Sequence, residues 1–330
     1  MPEFKEGTFP EPGEPEKKTK VTSAEKLSIR YVVQEKSIAS ENRPNSNEDA
    51  VLSDKERNIF GVFDGVGGGD EASVASNLAK EYVKKHALEL EGFSLEESQN
   101  KMKELLESTN KEILKKSGGH RMGTTASIVK VIDGEKGEKK AIIGNIGDSR
   151  VYALYADGVL EQITMDDDFI QSLINGNSID EKEGRAMQSK FKNVVDEKDL
   201  TDDEYALFRR RHIISQSLGT ENVEPRTYIV DMNKDKVVKM FIVTSDGIHD
   251  NLTEKEIEST SNGGGNIAEK LVSAAKKRSN EKDPKNPLKK HLRAKYDDMS
   301  AVIIEIPAKE EKESKNKGKV RKKKKSKKNE

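Results

Sequence analysis

Between residues 25 and 308 the apolar positions switch repeatedly between a spacing of two and a spacing near 3.6, the marks of half-buried strands and of amphipathic helices. Residues 27–33 read as a strand. Residues 50–53 and 59–63, joined by the polar turn Asp54-Lys55-Glu56-Arg57, read as a hairpin. Residues 71–90 place Ala75, Leu78, Ala79, Tyr82 and Val83 on one helical face, and Ser94 with Glu97 opens a second helix, to about 116, with a capping box. After Gly118-Gly119 come strands at 124–132, 140–146 and 150–155, and the turn Asp157-Gly158 leads into 159–164. Residues 166–212 break the rhythm: they are charged and helix-prone with only short apolar runs, and read as a surface insertion or flap. Strands resume at 227–230 and 239–244. Thr253 with Glu256 caps another helix, Gly263-Gly264-Gly265 forms a loop, a helix covers 267–277, and 299–306 closes the pattern. Strands joined by short turns, with helices arriving in pairs, favour an α+β fold of antiparallel sheets flanked by helices over a doubly wound one.

Composition changes this picture at the two ends. Hydrophobic residues make up 32% of the 330 and charged residues 36%, a thin apolar supply that suits one core with charged appendages rather than two cores. Residues 1–24 are rich in Pro, Glu and Lys and read as a disordered lead-in, leaving 25–308 as the folded domain. Residues 309–330 carry twelve Lys or Arg against four Glu, a local +8 inside a net charge of −1, so the remainder stands at −9. That tail reads as flexible and basic. It suits nonspecific electrostatic contact with nucleic acid, ribosomes or an anionic membrane surface, and with no aromatic among its lysines base stacking is not expected. The absence of cysteine excludes disulfides, thiolate zinc sites and cysteine-nucleophile chemistry, and fits a reducing cytoplasm. With no signal-peptide stretch and no apolar run of membrane-spanning length, a cytoplasmic protein is the expectation.

The candidate chemistry lies in the aspartates. Asp64, Asp148, Asp246 and Asp297 all stand at strand ends or in adjoining turns, three of them beside glycine in Asp64-Gly65, Gly147-Asp148 and Asp246-Gly247. A single Asp-Gly is an ordinary turn, and Asp133-Gly134 and Asp157-Gly158 read that way. Four carboxylates at the same kind of junction read as a site for a hard divalent cation, which takes oxygen ligands including backbone carbonyls. The glycine run 65–69 has neither dinucleotide-fingerprint spacing nor a following Gly-Lys-Ser/Thr.

Arg43 with Asn47-Glu48-Asp49, Val62-Phe63-Asp64-Gly65-Val66-Gly67-Gly68, Gly123-Thr124-Thr125, Gly147-Asp148-Ser149-Arg150, Thr244-Ser245-Asp246-Gly247 and Asp297-Asp298-Met299-Ser300 occur in the order found in the metal-dependent protein phosphatases of type 2C. The sequence resembles that family from about 28 to 306, in a bacterial-like variant. The resemblance implies a sandwich of two antiparallel β-sheets flanked by pairs of α-helices, and hydrolysis of phosphoserine and phosphothreonine in phosphorylated protein substrates by an activated water, without a phosphoenzyme. It implies two Mn²⁺ or Mg²⁺ ions and a weaker third: Asp64 bridging both, the Gly65 carbonyl on one, Asp246 and Asp297 on the other, Asp148 on the third, and Glu48 and Asp49 behind waters. Arg43 would grip the substrate phosphate through its planar fork of donors.

Several positions depart from the family pattern. Val66 stands where many eukaryotic members have a histidine proposed as general acid. Asp298 replaces the usual Asn, adding a negative charge beside Asp297, and the Thr164 to Asp168 stretch lacks an Asp-His pair. Arg43 lies one residue further from Asn47 than the pattern expects. If these mark a decayed site, the alternative is a non-catalytic regulator that binds a phosphoprotein or a kinase; a nucleic-acid-binding protein driven by the tail is a further alternative. Among the histidines only His249 lies near a motif; His86, His120, His212 and His291 show no metal-ligand spacing. Arg209-Arg210-Arg211 reads as a solvated charge run, the alternative being a docking site for acidic or phosphorylated substrate.

Overall fold

A computed structural model of the chain describes residues 31–91, 94–133, 139–234 and 236–307. The expected lead-in at 1–24 and the basic tail at 309–330 lie outside the described residues. In chain order the elements are β1 (Val32–Ile38), β2 (Asp49–Asp54), β3 (Ile59–Val66), α1 (Asp70–His86), α2 (Leu95–Ser117), β4 (Gly123–Thr124), β5 (Ala126–Asp133), β6 (Lys139–Ile146), β7 (Arg150–Tyr155) and β8 (Leu160–Gln162). After these come α3 (Phe169–Asn175), α4 (Glu181–Phe191), α5 (Asp202–Phe208), β9 (Arg226–Asp231), β10 (Val238–Thr244), α6 (Asp246–His249), α7 (Glu254–Asn262), α8 (Ile267–Ser279), β11 (Lys282–Asp283), β12 (Asn286–Lys290) and β13 (Met299–Glu305).

Two antiparallel sheets form the centre. One has the order β2-β3-β5-β6-β9 with β4 paired to β3; the other has β1-β13-β10-β7-β8. Because side chains alternate across a strand, each central strand feeds two cores. On β10, Phe241 and Val243 pack between the sheets with Phe60, Val62, Val129, Ile143 and Val302. Met240 and Ile242 face the other way, against Leu271, Val272 and Ala275 of α8. On the far side Ile128 and Ile142 meet Ala79 and Val83 of α1 and Met102 and Leu106 of α2. The result is the expected α+β sandwich of two antiparallel sheets flanked by helices. Burial on both faces explains why the central strands read as continuous apolar runs; each such side chain contributes about 1.5–3 kcal/mol.

Several elements differ from expectation. The first described strand is β1, over Val32–Ile38; of the expected 27–33, residues 27–30 lie outside the described residues, and the strand runs on past 33. Its Val-Val-Gln-Glu-Lys-Ser-Ile is weakly apolar, and its bounds come from pairing with β13, from Val32↔Glu305 to Ile38↔Met299. The hairpin strand expected to stop at 63 runs on to Val66, because Gly65 and Val66 pair with Thr124 and Gly123 of β4. The β11–β12 pair has no apolar alternation, so nothing in its pattern marks it. Residues 166–212 hold α3, α4 and α5 around a small core of Ile170, Phe191, Val194 and Phe208.

Candidate metal and phosphate site

The site forms where the ends of both sheets meet. β2 and β3 pair so that Asp49 lies directly opposite Asp64. Like charges facing each other across a sheet are destabilising, so this register calls for a counter-charge. Asp148 sits in the turn between β6 and β7, Asp246 begins α6 immediately beyond β10, and Asp297 lies in the segment before β13. Asp64, the Gly65 backbone, Asp148, Asp246 and Asp297 line one open cavity of about 230 Å³, with Val66, Gly67, Thr125, His212, Ile214 and Lys295. All five positions expected to hold metal therefore converge.

Local packing places them. The Asp64 amide donates to Thr125 Oγ1 at 3.0 Å, and Thr125 Oγ1 and Ser149 Oγ share a hydrogen bond of 2.7 Å, tying β3 to the turn that carries Asp148. Ser245 Oγ donates to Asp49 Oδ2 at 2.7 Å and accepts from the Ser300 amide at 3.0 Å, linking the start of α6 to β2 and β13. Gly65 and Gly247 are close-approach positions. A Cβ on Gly65 would lie 2.5 Å from the Ala72 carbonyl oxygen, and one on Gly247 would lie 1.9 Å from that of Asp298.

The electrostatics show how much negative charge is gathered. Burial, then the charges of Asp49, Asp246, Asp297 and Asp148, push the Asp64 carboxyl well above the usual carboxylate range. Burial pushes Asp49 up to about 8, against hydrogen bonds from Ser245 and Ser300, with Asp297 and Asp298 adding to the rise. Asp246 rises to about 7, first through burial, with Lys295 opposing and Asp297 and Asp250 reinforcing. Asp148 is also raised, by burial and then by Asp246. The buried oxygens Asp49 Oδ1 and Asp246 Oδ1 have no hydrogen-bond partner. Acceptor-only oxygens buried in an excess of negative charge are the donor set a hard cation takes, so these residues fit Mn²⁺ or Mg²⁺. Among the described residues no three such side chains are drawn into a closed cage; they line a shared cavity.

Other expected site residues lie behind or beside it. Glu48 is buried, accepting from the Gly69 amide at 2.6 Å and from Arg43 Nη1. Arg43 pairs with Glu48, and its other nitrogen stands 4.0 Å from Asp298; it does not line the carboxylate cavity. Asp298 behaves differently from the extra cavity charge expected of it. Its two oxygens accept the Ser40 and Glu48 amides, each at 2.6 Å, so it clamps the backbone that carries Glu48, although its charge still bears on Asp49. Arg211 is not solvated: it pairs with Asp250 at 3.0 Å and covers the Phe208 ring. His249 is buried, shares a hydrogen bond of 3.0 Å with Thr244, and is held neutral by burial.

The sequence reading missed Lys295, Asp250 and the presence of His212 at the cavity. Lys295 Nζ pairs with Asp246, with Asp297 at 2.8 Å and with Asp250 at 3.1 Å. Its position two residues before Asp297 was the available signal. Asp250 is followed by no glycine and resembles an ordinary helical aspartate. His212 reaches the cavity only through the path of the chain after α5.

The family model for Protein phosphatase 2C matches residues 28–169, a span with Asp64 and Asp148 but not Asp246 or Asp297. Solved structures extend the likeness to the whole described domain. Serine/threonine phosphatase Stp1 from Staphylococcus aureus superposes with a TM-score of 0.63 at 20% identity, over 84% of this chain and 96% of that one. The fold is that of the type 2C protein phosphatases. The Mycobacterium tuberculosis serine/threonine phosphatase PstP gives 0.61 at 21% identity, covering 84% and 99%. A PstP catalytic domain in complex with two manganese ions gives 0.59 at 21%, with the same coverage. Comparison with the curated proteins gives no match. Within this type 2C fold, no helix among the described residues is long and apolar enough to cross a membrane.

Proposed function

We propose that the protein is a metal-dependent phosphatase acting on phosphoserine and phosphothreonine in proteins. The observation that carries this reading is the convergence of Asp64, Gly65, Asp148, Asp246 and Asp297 on one cavity, with buried carboxylate oxygens left unpartnered. Asp64 and the Gly65 carbonyl would hold a divalent ion, Asp246 and Asp297 would share in a second position, and Asp148 would serve a weaker one. Bound Mn²⁺ or Mg²⁺ supplies Lewis acidity, lowering the pKa of a water and neutralising charge on the phosphoryl oxygens. Asp49, opposite Asp64 and held by Ser245, orients the carboxylates from behind. Arg43, with its side chain 39% exposed, would exchange part of its pairing with Glu48 for a substrate phosphate, to which a guanidinium offers a bidentate fork. Residues 166–212 would shape access, since His212 already borders the cavity.

One observation favours the non-catalytic reading: Lys295 already neutralises part of the Asp246–Asp297 side. Hydrolysis of a phosphothreonine peptide decides between the two. Turnover is expected with Mn²⁺, is expected to vanish with excess chelator, and is expected to fall at least ~100-fold in Asp64→Asn. A folded wild type without turnover in any divalent ion, or an Asp64→Asn variant at full rate, would overturn the proposal.

A further inference from the structure

Lys295 is fixed where it stands. The fully buried Asn251 clamps its backbone in both directions: Asn251 Oδ1 accepts the Lys295 amide at 3.0 Å, and Asn251 Nδ2 donates to the Lys295 carbonyl at 3.0 Å and to that of Gly247 at 2.9 Å. The segment bearing the ammonium is thereby tied to the helix that begins at Asp246. From this anchor Nζ reaches one oxygen each of Asp246, Asp250 and Asp297.

Charge accounting shows what this does. Asp246, Asp250 and Asp297 bring three negative charges, and Lys295 with Arg211, paired to Asp250, returns two positive ones. That half of the site is within one charge of neutral before any ion arrives. The half at Asp49, Asp64 and Asp148 has no basic side chain within ion-pair distance of those three carboxylates among the described residues. A divalent ion takes carboxylate oxygens at about 2.0–2.2 Å. An ion placed on the Asp246 and Asp297 oxygens that already hold the ammonium would meet it at short range, in a buried setting where like charges repel strongly.

We propose that Lys295 is a built-in cation that competes with a divalent ion for the Asp246 and Asp297 oxygens, so that the protein holds one ion tightly, on the Asp64 side, and the second only weakly. This deepens the phosphatase reading and rests on it. The full-length chain is to be loaded with Mn²⁺ alone, passed through a desalting column, and its metal counted, with the Mn²⁺ EPR spectrum recorded on the same sample. Wild type is expected to retain about one Mn²⁺ per chain with an isolated-ion spectrum, and Lys295→Met about two with an exchange-coupled pair. Lys295→Ser gives the same comparison if the methionine variant folds poorly. Two coupled ions in wild type, or equal counts in wild type and variants, would overturn the inference. Two ions in an active wild type would leave the phosphatase reading standing, and no Mn²⁺ retained in any form would overturn this inference while leaving that reading to the turnover assay.

Discussion

Single residues set the chemistry through what their neighbours leave unpaired. Asp49 and Asp298 are both buried acids, but Asp298 spends its oxygens on two backbone amides while Asp49 keeps one oxygen without a partner. Asp298 acts as a clamp and Asp49 as part of the acidic cluster. Asp168 gives the same physics away from the cavity. It caps α3 through the Gln171 amide at 2.6 Å and accepts from Gln188 at 2.9 Å. Burial, then the charge of Asp166, pushes its carboxyl up to about 6. A carboxyl raised on folding stabilises fully below its unfolded value near 3.8, and that contribution is lost as pH rises through about 6. Asp168→Asn retains the cap acceptor without the charge. Urea unfolding is therefore expected to show the variant gaining on wild type between pH 4 and pH 7, by on the order of 2 kcal/mol. A stability difference that does not change with pH would rule this out.

At the scale of elements, propensity and pairing divide the work. α2 and α7 start where Ser94–Glu97 and Thr253–Glu256 form capping boxes; these local signals were readable because their hydrogen bonds span three residues. β1 runs past its apolar residues to Ile38 because an edge strand takes its bounds from its partner. The four-residue α6 has no periodicity of its own. It is positioned by Gly247 lying against the Asp298 carbonyl and by Asn251 bonding to Lys295. Gly247→Ala would drive a Cβ to 1.9 Å from that oxygen, so α6 and the segment before β13 must separate. The cost is expected to be about 3 kcal/mol, seen as a lowered urea midpoint; a midpoint equal to wild type would contradict the packing described.

In the whole molecule, residues 166–212 are joined to the sandwich by a few strong contacts. Arg293, 2% exposed, donates through Nη1 to the carbonyls of Phe191 at 2.8 Å and Val194 at 3.3 Å, and through Nη2 to those of His249 at 2.6 Å and Leu252 at 3.1 Å. It thus bridges the end of α4 to the end of α6. Arg211 adds a second tie through Asp250. Arg293→Met strands four carbonyls and is expected to loosen this segment before the sheets. Limited proteolysis between residues 169 and 212 is expected to quicken at least ~10-fold, equivalent to ~1.4 kcal/mol of local opening, while the sheets unfold as a unit. Unchanged cleavage would show that the bridge is not what holds the segment.

The sequence by itself determined the layered α+β architecture, because burial on both sheet faces and one helix face writes continuous and periodic apolar patterns that need no partner to be read. It also marked Asp64, Asp148, Asp246 and Asp297, since carboxylates at strand ends, three of them beside glycine, are local features. Only the tertiary structure decided that Asp49 faces Asp64, that Arg43 pairs with Glu48, that Asp298 serves the backbone, and that Lys295 enters the carboxylate cluster. The Arg43–Glu48 pair spans only five residues but depends on the path of an irregular segment; the others depend on a contact across tens to hundreds of residues or on strand register, and direction and register are absent from composition and spacing. A charge's effect comes from what surrounds it after folding, and that is why the aspartates were visible in advance and the lysine among them was not.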